Sequence, residues 1–180
     1  MFAVSSRVRK CSHKYGIEIP TSISHAKMID LKNGNNLWMD AITKEMTNVG
    51  IAFTILYEGK KAPPGWTKTS GDLVFDVKMD FKRKARWVKD GHRFPDTTTS
   101  PYDGVVSCES VRVGLTHAAL MDLDDISVDI QNAYLQAPSS EKDFIICGAE
   151  FGLENVGKVA LITRALYGGK VAGRYFWHHL

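Results

Sequence analysis

The run LVFDVKMDF, Leu73 to Phe81, sets Leu73, Phe75, Val77, Met79 and Phe81 against Val74, Asp76, Lys78 and Asp80. A period of two sends successive side chains to opposite faces, so the run predicts a half-buried strand. The charged KRKARWVKDGHR behind it predicts a turn and a returning strand. The chain is thereby committed to a β-hairpin with one covered face, and the remaining elements must supply the cover.

Leu37, Trp38, Ala41, Ile42, Glu45, Met46 and Val49 recur at helical spacing, with Asn35 or Asn36 as cap and Gly50 as stop. AFTIL (from Ala52) predicts a strand and KKAPPGW a turn. FPDTTTSPYDG predicts a long loop. Ser107 can cap a helix reaching about Asp122, with Val111, Leu115, Ala118 and Ala119 on one face. Strands are predicted at Ile126–Ile130, in DFIICGA and in GKVALIT. Helices and strands do not alternate regularly, so the expected class is α+β rather than doubly wound α/β. The first 34 residues are polar, broken by Gly16, Pro20 and Gly34, and are expected to be loosely structured.

With 44% hydrophobic and 24% charged residues in 180, the chain has an ordinary globular composition and enough length for a real core. Cys11, Cys108 and Cys147 are widely spaced and form no CxxC, which disfavours zinc and disulfides and makes a reducing compartment the default. No stretch approaches about 18 apolar residues, and the first apolar run is too short for a signal peptide. The expectation is a soluble protein of the cytoplasm or nucleus, with no membrane partner.

The hairpin is strongly basic. From Lys78 to Arg93 there are seven cations and two anions, a local excess of +5 in a chain whose net charge is +3. Two readings stay open: a solvated strand face, or a surface for a polyanion that would bind with steep salt dependence. Alternation puts Lys82, Lys84 and Arg86 on one face, and Arg83, Lys89 and Arg93 extend the basic surface. Trp66 and Trp87 have two uses open, core packing and stacking on bases.

DDISVDIQNAYLQAP, Asp124 to Pro138, raises a second question. Asp129 is a lone carboxylate between Val128 and Ile130, and a lone charge is not buried without a partner. It can be a surface residue at a strand end, a partner for a hairpin cation, or a ligand for Mg2+, which favours carboxylate and phosphate oxygens. Asp124 and Asp125 read as a solvated turn.

Several of these segments, in order, resemble the reverse transcriptase domain of copia-type long-terminal-repeat retrotransposon Pol polyproteins. NGNNLWMDAITKEM is similar to that family's W-x-x-A-x-x-x-E helix, and Lys84-Ala85-Arg86 to its K-A-R in the fingers hairpin. SCESVRVGLTHAALMDLD resembles the helix before motif A. DIQNAYLQA resembles motif A itself, D-x-x-x-A-[FY]-L, and RALYGGK the L-Y-G-L-K segment. The resemblance runs from about Tyr15 to Trp177. It implies a polar extension over residues 1–34 and the fingers and partial palm of a right-hand polymerase over residues 35–180.

Such enzymes join a primer 3′-hydroxyl to the α-phosphate of an incoming deoxynucleotide, with two Mg2+ ions clamping the attacking and leaving oxygens. By resemblance, Asp129 holds both ions and the carbonyl of Ile130 holds one. Tyr134 packs under the sugar and excludes a 2′-hydroxyl. Lys84 or Arg86, with Lys78, binds the triphosphate, while Gly168 and Lys170 lie near the nascent base pair and template. The implied partners are deoxynucleotides, an RNA or DNA template-primer and the remaining polyprotein segments.

The pattern is incomplete. The family's Y-x-D-D hairpin, whose aspartates complete the metal site, has no counterpart in these residues, and no aspartate follows Asp143. Asp124 and Asp125 precede motif A and cannot substitute. Gly169 stands where the family has leucine, removing a contact worth about 2–5 kcal/mol if buried. The tail GRYFWHHL also departs, and its histidines read as a ragged end. The expectation is a reverse transcriptase fragment, catalytically incomplete by itself. The alternatives are a non-catalytic nucleic-acid-binding remnant acting through the hairpin 78–93, or a chain that does not fold cooperatively.

Overall fold

The computed structural model describes residues 12–90 and 106–180. In chain order the elements are β1 (His13–Lys14), β2 (Ile17–Glu18), α1 (Ile23–Asn33), α2 (Leu37–Val49), β3 (Phe53–Ile55), β4 (Thr67–Lys68), β5 (Gly71–Val77) and β6 (Arg83–Lys89). They continue with α3 (Cys108–Leu120), α4 (Ala133–Gln136), β7 (Asp143–Ile146), β8 (Val159–Ile162) and α5 (Ala172–His179). The class is α+β, as expected. No helix among the described residues is long and apolar enough to cross a membrane.

The hairpin forms as an antiparallel β5–β6 pair, from Gly71 opposite Lys89 to Val77 opposite Arg83. Its inner face carries Phe75, Val77, Ala85 and Trp87, all buried. The cover comes from the two helices before it. Ala26 and Ile29 of α1 and Trp38 and Ile42 of α2 share one core cluster with Phe75, Val77 and Ala85. Trp38 meets Phe75 edge to face at 5.8 Å.

The segment expected to be loosely structured is therefore only partly so. Residues 1–11 lie outside the described residues, but β1, β2 and α1 are ordered elements. Ser22 starts α1, its hydroxyl accepting from the His25 N–H, and Gly34 ends it in the left-handed region at φ 63°. The breakers read in the sequence thus delimit a helix.

A buried carboxylate joins α1 to α2. Asp30 is 2% exposed and accepts from the Trp38 N–H at 3.1 Å and the Met39 N–H at 2.9 Å. These donors have no partner inside α2, and an anion there also meets the positive helix end. Asn35 contributes a weaker bond, to the Leu37 N–H at 3.3 Å, and Asn36 makes no side-chain cap.

A second sheet has the order β3-β8-β7-β4, antiparallel except for the parallel β4–β7 pair. Ile145, Ala160 and Ile162 from this sheet pack with Val49 and Trp87 in a second core cluster. Trp87 is thus core, at 5.1 Å from the Phe53 ring, while Trp66 is half-buried. Beyond β8 the ladder continues through a Pro138–Arg164 bridge, which lashes the segment behind α4 to the sheet.

Other expectations fail. The strand read from Leu73 to Phe81 stops at Val77, and the chain turns there, leaving Met79 and Phe81 85% and 58% exposed instead of on the covered face. The helix capped by Ser107 forms, but its apolar face stays open: no residue of α3 is buried, and Val111 and Leu115 are 45% and 51% exposed. No strand forms at Ile126–Ile130, where every residue is exposed. The sheet ends at β3 and β4 and neither pairs with that segment, so its alternating side chains have no ladder to hold them. The tail, read as ragged, forms α5 instead.

Replacing Asp30 with alanine should lower unfolding stability by about 1–2 kcal/mol, the usual cost of a lost cap. Denaturant unfolding measures it; an unchanged midpoint would show that Asn35 suffices.

Candidate functional site

The basic hairpin does not present its cations as one surface. Cross-strand partners share a face, and the outer face pairs Val74 with Arg86 and Asp76 with Lys84. Lys84 and Arg86 do lie together, as expected. Lys82 does not join them: it is in the turn, bound to Asp80 at 2.8 Å, and that bond holds the Asp80 carboxyl below the ordinary range. Lys78 is exposed in the same turn.

Two expected nucleic-acid contacts are turned inward. Arg83 is half-buried, with its guanidinium 5.9 Å from the centre of the Trp38 ring. Lys89 is only 5% exposed and forms ion pairs with Glu141 at 2.9 Å and with Asp143. Alternation explains both, because Arg83, Ala85, Trp87 and Lys89 share the face that α2 and the second sheet cover. Arg93 lies outside the described residues.

Burial lowers the proton affinity of Lys89, but its two carboxylates more than offset this and leave it raised. The stabilisation is then fully present below the ordinary lysine value and fades as pH rises through the raised one.

Around the outer pair the potential is positive. Burial, together with Arg86 and Lys78, holds the Lys84 ammonium below the lysine range, against the weaker pull of Glu45 and Asp76. Asp76 is already bound to Lys14 at 2.6 Å. Glu45 accepts from the Trp87 N–H at 2.9 Å, and its burial pushes its carboxyl up. Lys78, Lys84 and Arg86, the three residues expected at a triphosphate, thus form one electrostatic group.

A distant loop completes the cluster. The Arg86 guanidinium lies 4.5 Å from the centre of the Tyr167 ring. Tyr167 is 5.2 Å from Tyr134 of α4, and Tyr134 is 6.2 Å from Phe176 of α5. Gly168 and Lys170 follow Tyr167 in the same loop, with Lys170 half-buried just before α5. Arg86 and Tyr134, expected to serve one nucleotide, are therefore linked through a residue that sequence reasoning quoted within L-Y-G but assigned no role.

Gly168 has a structural duty of its own. Its φ is 85°, and a Cβ there would lie 2.1 Å from the Lys89 carbonyl oxygen. The neighbouring Tyr167 carbonyl accepts from the Lys89 N–H at 2.7 Å. Only glycine lets the loop pass this close to the end of β6. Gly169 is less demanding, with Leu166 O 3.1 Å from its would-be Cβ.

Asp129 is exposed in an irregular segment, and Ile130 beside it is 40% exposed. Among the described residues no group of three or more His, Cys, Asp or Glu side chains could hold a metal ion. The described residues do not fit a two-Mg2+ centre: the one solvated carboxylate of Asp129 cannot neutralise two divalent ions. A cavity of about 940 Å3 lies elsewhere, between Pro20–Ser24 and β5. Asp72, Asp76, Asp90 and Glu150 in its lining make it a poor host for phosphate.

No family model, curated protein or solved structure matches this chain.

Lys89→Met should cost about 3–5 kcal/mol by stranding buried carboxylates. The gap from wild type should narrow above the lysine range, which denaturation at stepped pH would measure. Gly168→Ala should cost at least about 1–3 kcal/mol; a melting temperature equal to wild type would contradict the packing described for the loop.

Proposed function

We propose that this chain is the fingers and partial palm of a reverse transcriptase of the copia-type retrotransposon class, binding deoxynucleoside triphosphates and primer–template. In this reading the β5–β6 hairpin with α1 and α2 forms the fingers, and the β3-β8-β7-β4 sheet forms part of the palm. One observation carries the reading. The K-A-R of β6, the A-Y-L of α4 and the L-Y-G loop are far apart in sequence, yet they meet through the Arg86–Tyr167 and Tyr167–Tyr134 contacts. Chance motif matches have no reason to converge.

The chemistry suits the parts. The Arg86 fork offers paired donors to phosphate oxygens, and Lys84 adds a point charge whose repulsion by Arg86 and Lys78 an anion would relieve. The Tyr134 ring can underlie a deoxyribose and leave no room for a 2′-hydroxyl. No catalytic step is assigned. Of the carboxylates such a reaction needs, Asp129 is the one that the motif supplies, so the chain by itself is proposed to bind without polymerising.

Nucleotide titration tests this. Lys84→Ala/Arg86→Ala should weaken deoxynucleotide binding about 10–100-fold, from the loss of charge-assisted bonds. Asp129→Ala should leave stability within about 0.5 kcal/mol of wild type. Undiminished nucleotide binding by the double variant sinks the proposal. Salt-sensitive nucleic-acid binding without nucleotide binding would favour the remnant reading. Primer extension that Asp129→Ala abolishes would disprove incompleteness.

A further inference from the structure

Arg86 is half-buried and, among the described residues, its guanidinium makes no hydrogen bond or ion pair; Glu45 is the carboxylate that interacts with it through space. Its opposite residue across the hairpin is Val74, which offers nothing polar from its side chain. What faces it is the π surface of Tyr167 at 4.5 Å. A guanidinium over an aromatic ring is held by the ring quadrupole while its in-plane N–H donors stay available. That is a state suited to an incoming anion: the fork is oriented before the ligand arrives, and no hydrogen-bond acceptor among the described residues has to be displaced.

The same ring also touches Tyr134, at 5.2 Å with the planes tilted by 57°. Tyr134 belongs to a four-residue helical turn, too short to fix a side chain by its own packing. Its ring is held from two sides, by Tyr167 and, edge to face at 6.2 Å, by Phe176. Tyr167 is itself anchored through its backbone, by the Lys89 N–H to Tyr167 carbonyl bond and by the close approach of Gly168 to β6. The ring therefore stands on a fixed loop between Arg86 and Tyr134.

We infer that Tyr167 is a positioning residue of the nucleotide site, orienting Arg86 toward the phosphates and Tyr134 toward the sugar, so that affinity and sugar selectivity are coupled through one ring. This rests on the function proposed above. It predicts that the ring, not the hydroxyl, carries the effect. It also predicts that losing the ring damages phosphate binding and discrimination against ribonucleotides together, which a loss confined to the Arg86 contact would not do.

The test measures dissociation constants for a magnesium deoxynucleoside triphosphate and the matching ribonucleotide, on full-length wild type, Tyr167→Phe, Tyr167→Leu and Arg86→Lys. Tyr167→Leu should lose roughly three- to tenfold in deoxynucleotide affinity, the scale of a cation–π contact, and narrow the preference for deoxyribose. Tyr167→Phe should restore both. Arg86→Lys keeps the charge but not the flat guanidinium, so it should lose affinity while keeping the sugar preference; this arm serves if the leucine variant melts without cooperativity. Wild-type affinity and preference in Tyr167→Leu, or equal losses in Tyr167→Phe and Tyr167→Leu, would overturn the inference and leave the proposed function standing. Failure of wild type to bind any nucleotide would overturn both.

Discussion

The buried ion pairs of Lys89 with Asp143 and Glu141 hold the two halves of the molecule in register. Lys89 ends β6 and Asp143 begins β7, which belongs to the other sheet. A charged amine this deep is tolerated only because two carboxylates meet it. The contact is specific where apolar packing between the halves is not, since a slip of one residue would strand a charge on each side. Its main chain adds a second tie, to the loop carrying Tyr167. The Arg86–Tyr167–Tyr134 arrangement exists because β6 is pinned there.

The same pin accounts for how the basic run is divided. Among the described residues, one stretch of sequence supplies cations to four destinations: Lys89 to the interior, Arg83 to the Trp38 ring, Lys84 with Arg86 to the outer face, and Lys78 with Lys82 to the exposed turn. Charge counting treats them as equal. Strand alternation separates them, because a cation on the inner face must find a partner or a ring.

Much of the framework was legible. Strict alternation announced β5, and the helical spacing from Leu37 to Val49 announced α2, because these patterns are local. The lost parts depended on contacts distant in sequence. Asp30 reads as one polar residue among many until α2 folds back and offers it two bare N–H groups. Ile126–Ile130 carries the composition of a strand, but composition cannot provide a neighbour. Tyr167 gave no signal because its meaning lies in Arg86 and Tyr134, which are apart in sequence and adjacent only in the fold. Lys89 could not be told from Lys84 without knowing which face the second sheet would cover.

The second sheet is closed by strands from opposite ends of the chain, with Phe53 opposite Ile162. This ordering has a consequence for synthesis. When the ribosome has released α1, α2 and the hairpin, those parts can already pack by neighbouring contacts. Strand β3 cannot: its bonding edge stays bare until more than a hundred further residues have emerged. Through that interval a nascent chain exposes a strand edge able to pair with a neighbour. The slowest and most error-prone interval for these residues should therefore be the one before β8 emerges, set by sheet topology rather than by any weakness of the helices.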